Sequence, residues 1–218
     1  AWGIYGGLLA PYVKNDGIKT LAEQGVTLEN MFTTNSICVP SRAALLTGVM
    51  SHKNGVYTLG DALSTDSLTI TGLLSDAGYS TAIIGKWHLK EEPTGFDYYK
   101  VLPGQGRYFN PLLKTKENWE YGGKGGTIHQ GFSSDIIGDE SIEWIKAQDQ
   151  NQPFFLMTHF KATHEPFHYP KRHAELLADV EIPEPESLLE PYPHPTGRTF
   201  KGQLLDNLTK RWLSYQEK

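Results

Sequence analysis

The sequence predicts an α/β fold: a doubly wound, mostly parallel sheet flanked by helices. Three observations carry this. Residues 81–84, Thr-Ala-Ile-Ile, are a short apolar run of the kind that forms a strand buried on both faces, and they follow a helical stretch that Gly78 closes. Residues 153–160, Pro-Phe-Phe-Leu-Met-Thr-His-Phe, are a second such run, preceded by an amphipathic helical pattern at 133–148. Strands and helices in alternation favour parallel pairing, because each helix carries the chain back to the same end of the sheet.

In chain order, residues 1–7 open abruptly, with no strand before them, and residues 14–24 read as a short helix ended by Gly25. Residues 26–33 then alternate like a strand. The segment Cys38-Val39-Pro40-Ser41-Arg42 holds the only cysteine. Proline suits the first helical position, where its missing N–H has no partner to lose, so Pro40 is expected to open a helix that Gly48 stops. Cys38 would then sit just outside the positive helix end, and Arg42 in the first turn can fold back toward it with a fork suited to tetrahedral oxyanions. A polar loop at 51–61 and a helix at 67–77 lead to the first apolar strand.

Lys86, Trp87 and His88 follow that strand directly. In open α/β sheets ligands gather beyond the carboxyl ends of the strands, where a lysine and a histidine can hold an anion and supply a proton. Residues 91–126 form a long irregular stretch with Pro93, Pro103 and Pro111 and a glycine-rich run at 122–126 that lacks the spacing of a phosphate loop. Its part at 95–111, with Gln105 and Arg107, is rich in aromatic and amide side chains. These suit sugar rings and hydroxyls, and equally an aromatic mini-core that pins the loop.

In the helix at 133–148, Ile136, Ile137, Ile142 and Ile145 fall near one face. The strand at 153–160 delivers His159, Lys161 and His164. His164-Glu165-Pro166-Phe167-His168 spells the HExxH of zinc proteases, but that motif needs a helix, and Pro166 inside one would cost about 3 kcal/mol. Residues 181–195, rich in Pro and Glu, read as an extended surface crossing, and 204–216 as a closing helix.

With 218 residues and 39% hydrophobic content, the chain can bury one sizeable core, in one or two domains. A net charge of -5 gives no general attraction to nucleic acid or anionic membranes. No apolar run approaches the roughly 20 residues that span a bilayer. One cysteine excludes an intrachain disulfide.

The pattern C-x-P-S-R-x-x-x-L-T-G at 38–48 resembles the signature of the type I, formylglycine-dependent sulfatases of the alkaline-phosphatase superfamily. Gly78-Tyr79-Ser80-Thr81-Ala82-Ile83-Ile84-Gly85-Lys86-Trp87-His88 resembles their second signature, and His164 before x-Pro matches a sulfate-contacting histidine. The tract at 95–111 is similar to bacterial sulfatases acting on sulfated amino sugars, of the glycosaminoglycan and N-acetylglucosamine-6-sulfatase kind. The resemblance is firmest over 27–89 and 153–166 and implies that residues 1–218 are an interior part of an N-terminal catalytic domain.

It further implies that a sulfatase-maturing enzyme oxidises Cys38 to formylglycine, whose hydrated aldehyde attacks the sulfur of a sulfated sugar. Arg42 would steady the diol and the metal-side charge, Lys86 and His164 would bind sulfate oxygens, and His88 would act on the diol proton. Gln105 and Arg107 would bind substrate. The family uses a divalent cation, generally Ca2+, with Cys38 as formylglycine among its ligands. The paired aspartates of an earlier strand, and the later Asp-Asn or Asp-Gln pair with its lysine, are not in this sequence, so the isolated piece is expected to bind metal weakly and to be nearly inactive. Export to the periplasm or beyond is the family habit.

Three other readings remain open. The first is a related phosphate or phosphonate ester hydrolase, since a tetrahedral-anion pocket does not by itself tell sulfur from phosphorus. The second is a thiolate phosphatase, which expects C-x5-R where this chain has Ala44. The third is a carbohydrate-binding homologue without activity.

Overall fold

The computed structural model describes residues 10–184. The chain divides into two compact units, Met31–Phe167 and a second made of Ala1–Asn30 with His168–Lys218. The described part of the second unit holds helix α1, Asp16–Gln24, and a 3-10 turn at Lys171–His173. The opening at 1–7, the crossing beyond residue 184 and the helix at 204–216 lie outside the described residues.

In the first unit the elements run α2 (Cys38–Thr47), α3 (Ser51–Asn54), α4 (Ile70–Asp76), β1 (Ser80–Lys86), β2 (Tyr98–Leu102), β3 (Leu112–Leu113), β4 (Thr127–Ile128), α5 (Ser133–Lys146) and β5 (Phe154–His159). The main sheet has the order β2-β1-β5 with every pairing parallel, and β3 and β4 form a small antiparallel pair. Successive residues of β1 face opposite sides. Ile83 joins Val39, Ala43 and Leu46 of α2 in one core, while Ile84 joins Ile137 of α5, Leu102 and Leu113 in the other. Helices therefore cover both faces, and the expected α/β architecture holds.

Several boundaries differ from expectation, each for a local reason. Residues 26–33 form no strand, and Val26, Leu28 and Phe32 stay exposed. Alternation assigns side chains to faces, but a strand also needs a neighbour to complete its hydrogen-bond ladder. Helix α2 begins at Cys38 rather than at Pro40, with Ile37 extended before it and Ser41 N–H donating to the Ile37 carbonyl at 3.0 Å. Pro40 is tolerated because the first-turn N–H groups have no intrahelical partner anyway. Gly48, at φ +68°, closes the helix by donating to the Ala44 carbonyl at 2.9 Å.

The polar loop at 51–61 contains the single-turn helix α3, and α4 starts late, at Ile70, because the Thr69 hydroxyl accepts from Gly72 N–H at 3.1 Å. The irregular stretch at 91–126 conceals β2 and β3, and β4 follows directly after it. Its aromatic residues mostly serve the core: Phe96, Tyr99 and Tyr108 are buried, which favours the mini-core over an open sugar-stacking loop. In α5 the inward positions are Ser133, Ile137 and Ser141, whereas Ile142 and Ile145 are exposed. The strand at 153–160 is half-buried rather than buried, since β5 ends the described sheet order while β1 is enclosed by a strand on each side.

Candidate active site

The site assembles at the carboxyl ends of β1 and β5 and on the first turns of α2. Helix α2 buries Val39, Pro40, Ala43 and Leu46. The helical repeat turns Cys38, Ser41, Arg42 and Leu45 toward a cavity of about 250 Å3 whose other walls include Trp87, Leu89, Met157 and His159. Trp87 Nε1 donates to the Glu91 carbonyl at 2.7 Å and fixes the segment that leaves β1.

Arg42 reaches from α2 to both strand ends. Its Nη1 donates to the Lys86 carbonyl at 2.8 Å and lies 3.0 Å from His159 Nδ1. Burial pulls the guanidinium below its ordinary pKa, and the nearby Cys38 opposes this. Lys86 is buried, and its Nζ donates to the Gln105 side-chain carbonyl at 2.6 Å. Burial lowers its pKa to about 8, the Arg42 and Lys161 charges push the same way, and Cys38 acts against them.

His88 follows at φ +59°, a backbone region that L residues seldom occupy, and its Nδ1 is buried with no hydrogen-bond partner. Its pKa is lowered to about 4, first by burial and then by the charges of Lys86, Arg42, His164 and Lys90. Lys161 is buried too, donating to the Gln105 backbone carbonyl at 3.1 Å and the Glu165 carbonyl at 3.5 Å, with its Nζ 4.8 Å from the centre of the Tyr108 ring. The Tyr108 hydroxyl donates to the His164 carbonyl, and His164 Nδ1 lies 2.8 Å from the Glu165 carbonyl. Residues 161–167 are a series of turns closed by bonds such as His164 N–H to the Lys161 carbonyl at 3.0 Å. The HExxH string is therefore not presented on a helix.

Contacts and mutual charge effects thus bring Cys38, Arg42, Lys86, His88, Gln105 and His164 into one neighbourhood. Arg107 is exposed, and no described hydrogen bond or ion pair ties it to the cluster. Two members, His159 and Lys161, lie outside the motifs. The signal for His159 was available in its place as the last residue of a parallel strand, where ligands gather. Calcium takes about six to eight oxygen ligands. Among the described residues no group of three or more His, Cys, Asp or Glu side chains could hold a metal ion, and the groups around Cys38 are mostly cations or N–H donors. These residues alone do not fit calcium.

Comparison with known proteins agrees with the geometry. The Sulfatase family model matches residues 1–194. A curated N-acetylglucosamine-6-O-sulfatase of Bacteroides thetaiotaomicron is 36% identical over 195 residues, covering 88% of this chain and 33% of that protein. The human N-acetylgalactosamine-6-sulfatase is 30% identical over 205 residues, covering 78% and 38%. The match thus spans about a third of the length of the first relative and under two fifths of the second.

A solved structure in complex with its substrate D-glucosamine-2-N,6-O-disulfate superposes with a TM-score of 0.77 at 35% identity, over 86% of this chain and 36% of that one. A sulfatase from Pseudoalteromonas sp. superposes with a TM-score of 0.61 at 26% identity, over 78% and 42%. The two signatures found in the sequence, the cluster they build and these matches converge: the chain belongs to the sulfatase family.

Proposed function

We propose that the protein containing this chain hydrolyses sulfate esters on sulfated amino sugars, using Cys38 after its conversion to formylglycine by a maturing enzyme. The observation that carries this reading is a set of buried or half-buried basic groups, Arg42, Lys86, His88 and His159, on none of which a carboxylate of the described residues acts. Such a pocket is incomplete without an anion. Positive groups placed in advance around developing negative charge are usually the largest catalytic contribution. The N-acetylglucosamine-6-O-sulfatase relative and the glucosamine disulfate complex support a sulfated hexosamine as substrate.

The aldehyde hydrate supplies an oxygen nucleophile for sulfur. The chain's own residues do the rest. Lys86 and His164 take sulfate oxygens, and Gln105 holds the Lys86 ammonium in place until they arrive. Arg42, anchored to the Lys86 carbonyl, presents positive charge beside residue 38. His88, neutral near pH 7 and with Nδ1 unpartnered, is equipped to accept a proton. Arg107, exposed at the surface, is left as an outer contact for the sugar. The family's secreted or periplasmic location fits a glycan substrate.

Mass spectrometry of the Cys38 peptide from the native host, with turnover of N-acetylglucosamine 6-sulfate by the wild type and Cys38→Ala, tests the proposal. Formylglycine at residue 38 and loss of turnover in the variant are expected. An intact thiol with sugar binding only would point to a carbohydrate-binding homologue. Faster turnover of the 6-phosphate would point to a phosphate ester hydrolase.

A further inference from the structure

We propose that His159 is a positioning residue for Arg42, its Nδ1 accepting a hydrogen bond that fixes the guanidinium at the cavity wall shared with Cys38. The inference rests on the sulfate-ester reading, because the task of Arg42 is to meet an anion.

Arg42 Nη1 lies 2.8 Å from the Lys86 carbonyl and 3.0 Å from His159 Nδ1. A guanidinium has donors only, so the 3.0 Å contact is a hydrogen bond when His159 Nδ1 is bare and the ring proton sits on Nε2, which is the tautomer the proposal assigns. Nδ1 is also 3.2 Å from the Lys86 carbonyl. In this tautomer the ring nitrogen and the carbonyl are two acceptors side by side, and one Nη1, with its two hydrogens, serves both. The opposite tautomer would donate from Nδ1 to Lys86 and turn an N–H toward the guanidinium. A charged ring would do the same beside a fixed cation, and His159 is held neutral down to about pH 4 by burial and by Arg42.

The backbone builds this contact in. Gly85 of β1 pairs in register with His159 of β5, and a Cβ at Gly85 would come within 2.0 Å of the His159 carbonyl oxygen. Gly85 also lies at φ +106°, where side chains are strained. Only glycine lets the end of β5 approach β1 closely enough for the imidazole to meet Arg42. The chemistry of the acceptors matters as well. A carboxylate would orient Arg42 more strongly but would cancel the charge that an incoming sulfate needs. A neutral ring and a backbone carbonyl orient it and leave the charge whole.

The test uses the complete protein with His159→Ala, His159→Asn and His159→Gln, each also combined with Arg42→Ala. Asparagine places an acceptor oxygen near the Nδ1 position, whereas glutamine reaches only toward Nε2. His159→Ala is expected to lower kcat by about 10- to 100-fold with little change in KM, and His159→Asn to recover to within about fivefold of wild type, with His159→Gln remaining low. In the Arg42→Ala background, His159→Ala should cost less than about twofold, because the two act as one unit. Equal losses in both backgrounds, or an asparagine variant as poor as alanine, overturns the proposal.

Nitrogen chemical shifts of His159 provide a readout independent of turnover. A bare Nδ1 and protonated Nε2 from pH 5 to 8 are expected, and an Nδ1–H tautomer overturns the proposal. A wild type that turns over no sulfate ester would remove the functional reading, while the tautomer measurement would still decide whether His159 holds Arg42.

Discussion

Two polar clusters of the first unit handle charge in opposite ways. Between β2 and α5, Glu140 accepts from Lys100 Nζ at 2.7 Å and from the Tyr98 hydroxyl, and on the opposite face of β2 Glu92 accepts from the Tyr99 hydroxyl at 2.5 Å. Burial alone would raise the Glu140 pKa, but Lys100 and Tyr98 outweigh it and hold the carboxyl below its ordinary value. Burial and then the adjacent carboxylates push both tyrosines up. Charge there is answered within the protein, and the cluster is a clamp.

At the carboxyl ends of β1 and β5, Arg42, Lys86, His88 and His159 are instead acted on by burial, by one another and by the neighbouring Lys90, Lys161 and His164, and among the described residues only Cys38 and a backbone carbonyl favour their charged forms. Their partners are carbonyls and an amide. Lys161 stands between the two patterns, since Glu165 acts on it. The charges of the first cluster are answered within the protein, whereas those of the second are, on the reading proposed above, held for a ligand.

The sharpest way to break this contrast is to remove one cation. Lys86→Ala in the complete protein is expected to lower kcat/KM for a sulfate ester by about 10³-fold while leaving Tm unchanged or higher, since a buried charge is relieved. A large loss of Tm would make Lys86 structural instead. The converse is to supply the missing carboxylate. Gln105→Glu, beside Lys86 Nζ, should return the lysine toward its ordinary pKa, raise Tm and cut turnover by about 10- to 100-fold. Unchanged kinetics would show that the site does not depend on an unanswered positive charge.

Acidity provides a third test. His88 and His159 are lowered to about 4 in the folded state, from an ordinary value of 6.5. Between these values the unfolded chain binds more protons, so stability rises with pH there. The contribution of these histidines is present above pH 6.5 and is lost as pH falls through 6.5 toward 4, by on the order of 2–3 kcal/mol for His159 and by less for the half-buried His88, where solvent screens the charge. Denaturant melts at pH 7 and pH 4.5, with His159→Asn as the control, check this. Lys86 acts at the other end of the scale: unfolding takes up its proton between about 8 and 10.5, so its burial costs less as pH rises. Sulfate binding should weaken through that same range, as titration calorimetry with inorganic sulfate would show.

The smallest effect belongs to the clamp. Glu140→Gln should cost about 1 kcal/mol in a denaturant melt and leave kcat/KM unchanged, because Lys100 and Tyr98 lose a partner far from any reacting group.

Local chemistry wrote most of the site into the sequence. Pro40 beside Arg42, Gly48 as a helix stop, and Lys86 and His88 directly after a buried strand all carry their meaning within a few residues. What stayed hidden depends on neighbours distant in sequence. β2 pairs with β1 through a register that Tyr98 and Tyr99 do not advertise, and 26–33 has a strand's alternation without a described partner.

The sequence by itself determined the α/β class, the signatures and the residue types of the candidate site, because periodicity, caps and motif spacing are properties of short segments. The tertiary structure alone decided that Cys38 lies inside α2, that Gln105 rather than Arg107 reaches Lys86, and that His159 meets Arg42. Those outcomes turn on how closely β1 and β5 approach at Gly85, and on which loop carbonyls face the buried lysines. Such distances exist only once separate elements have packed against one another.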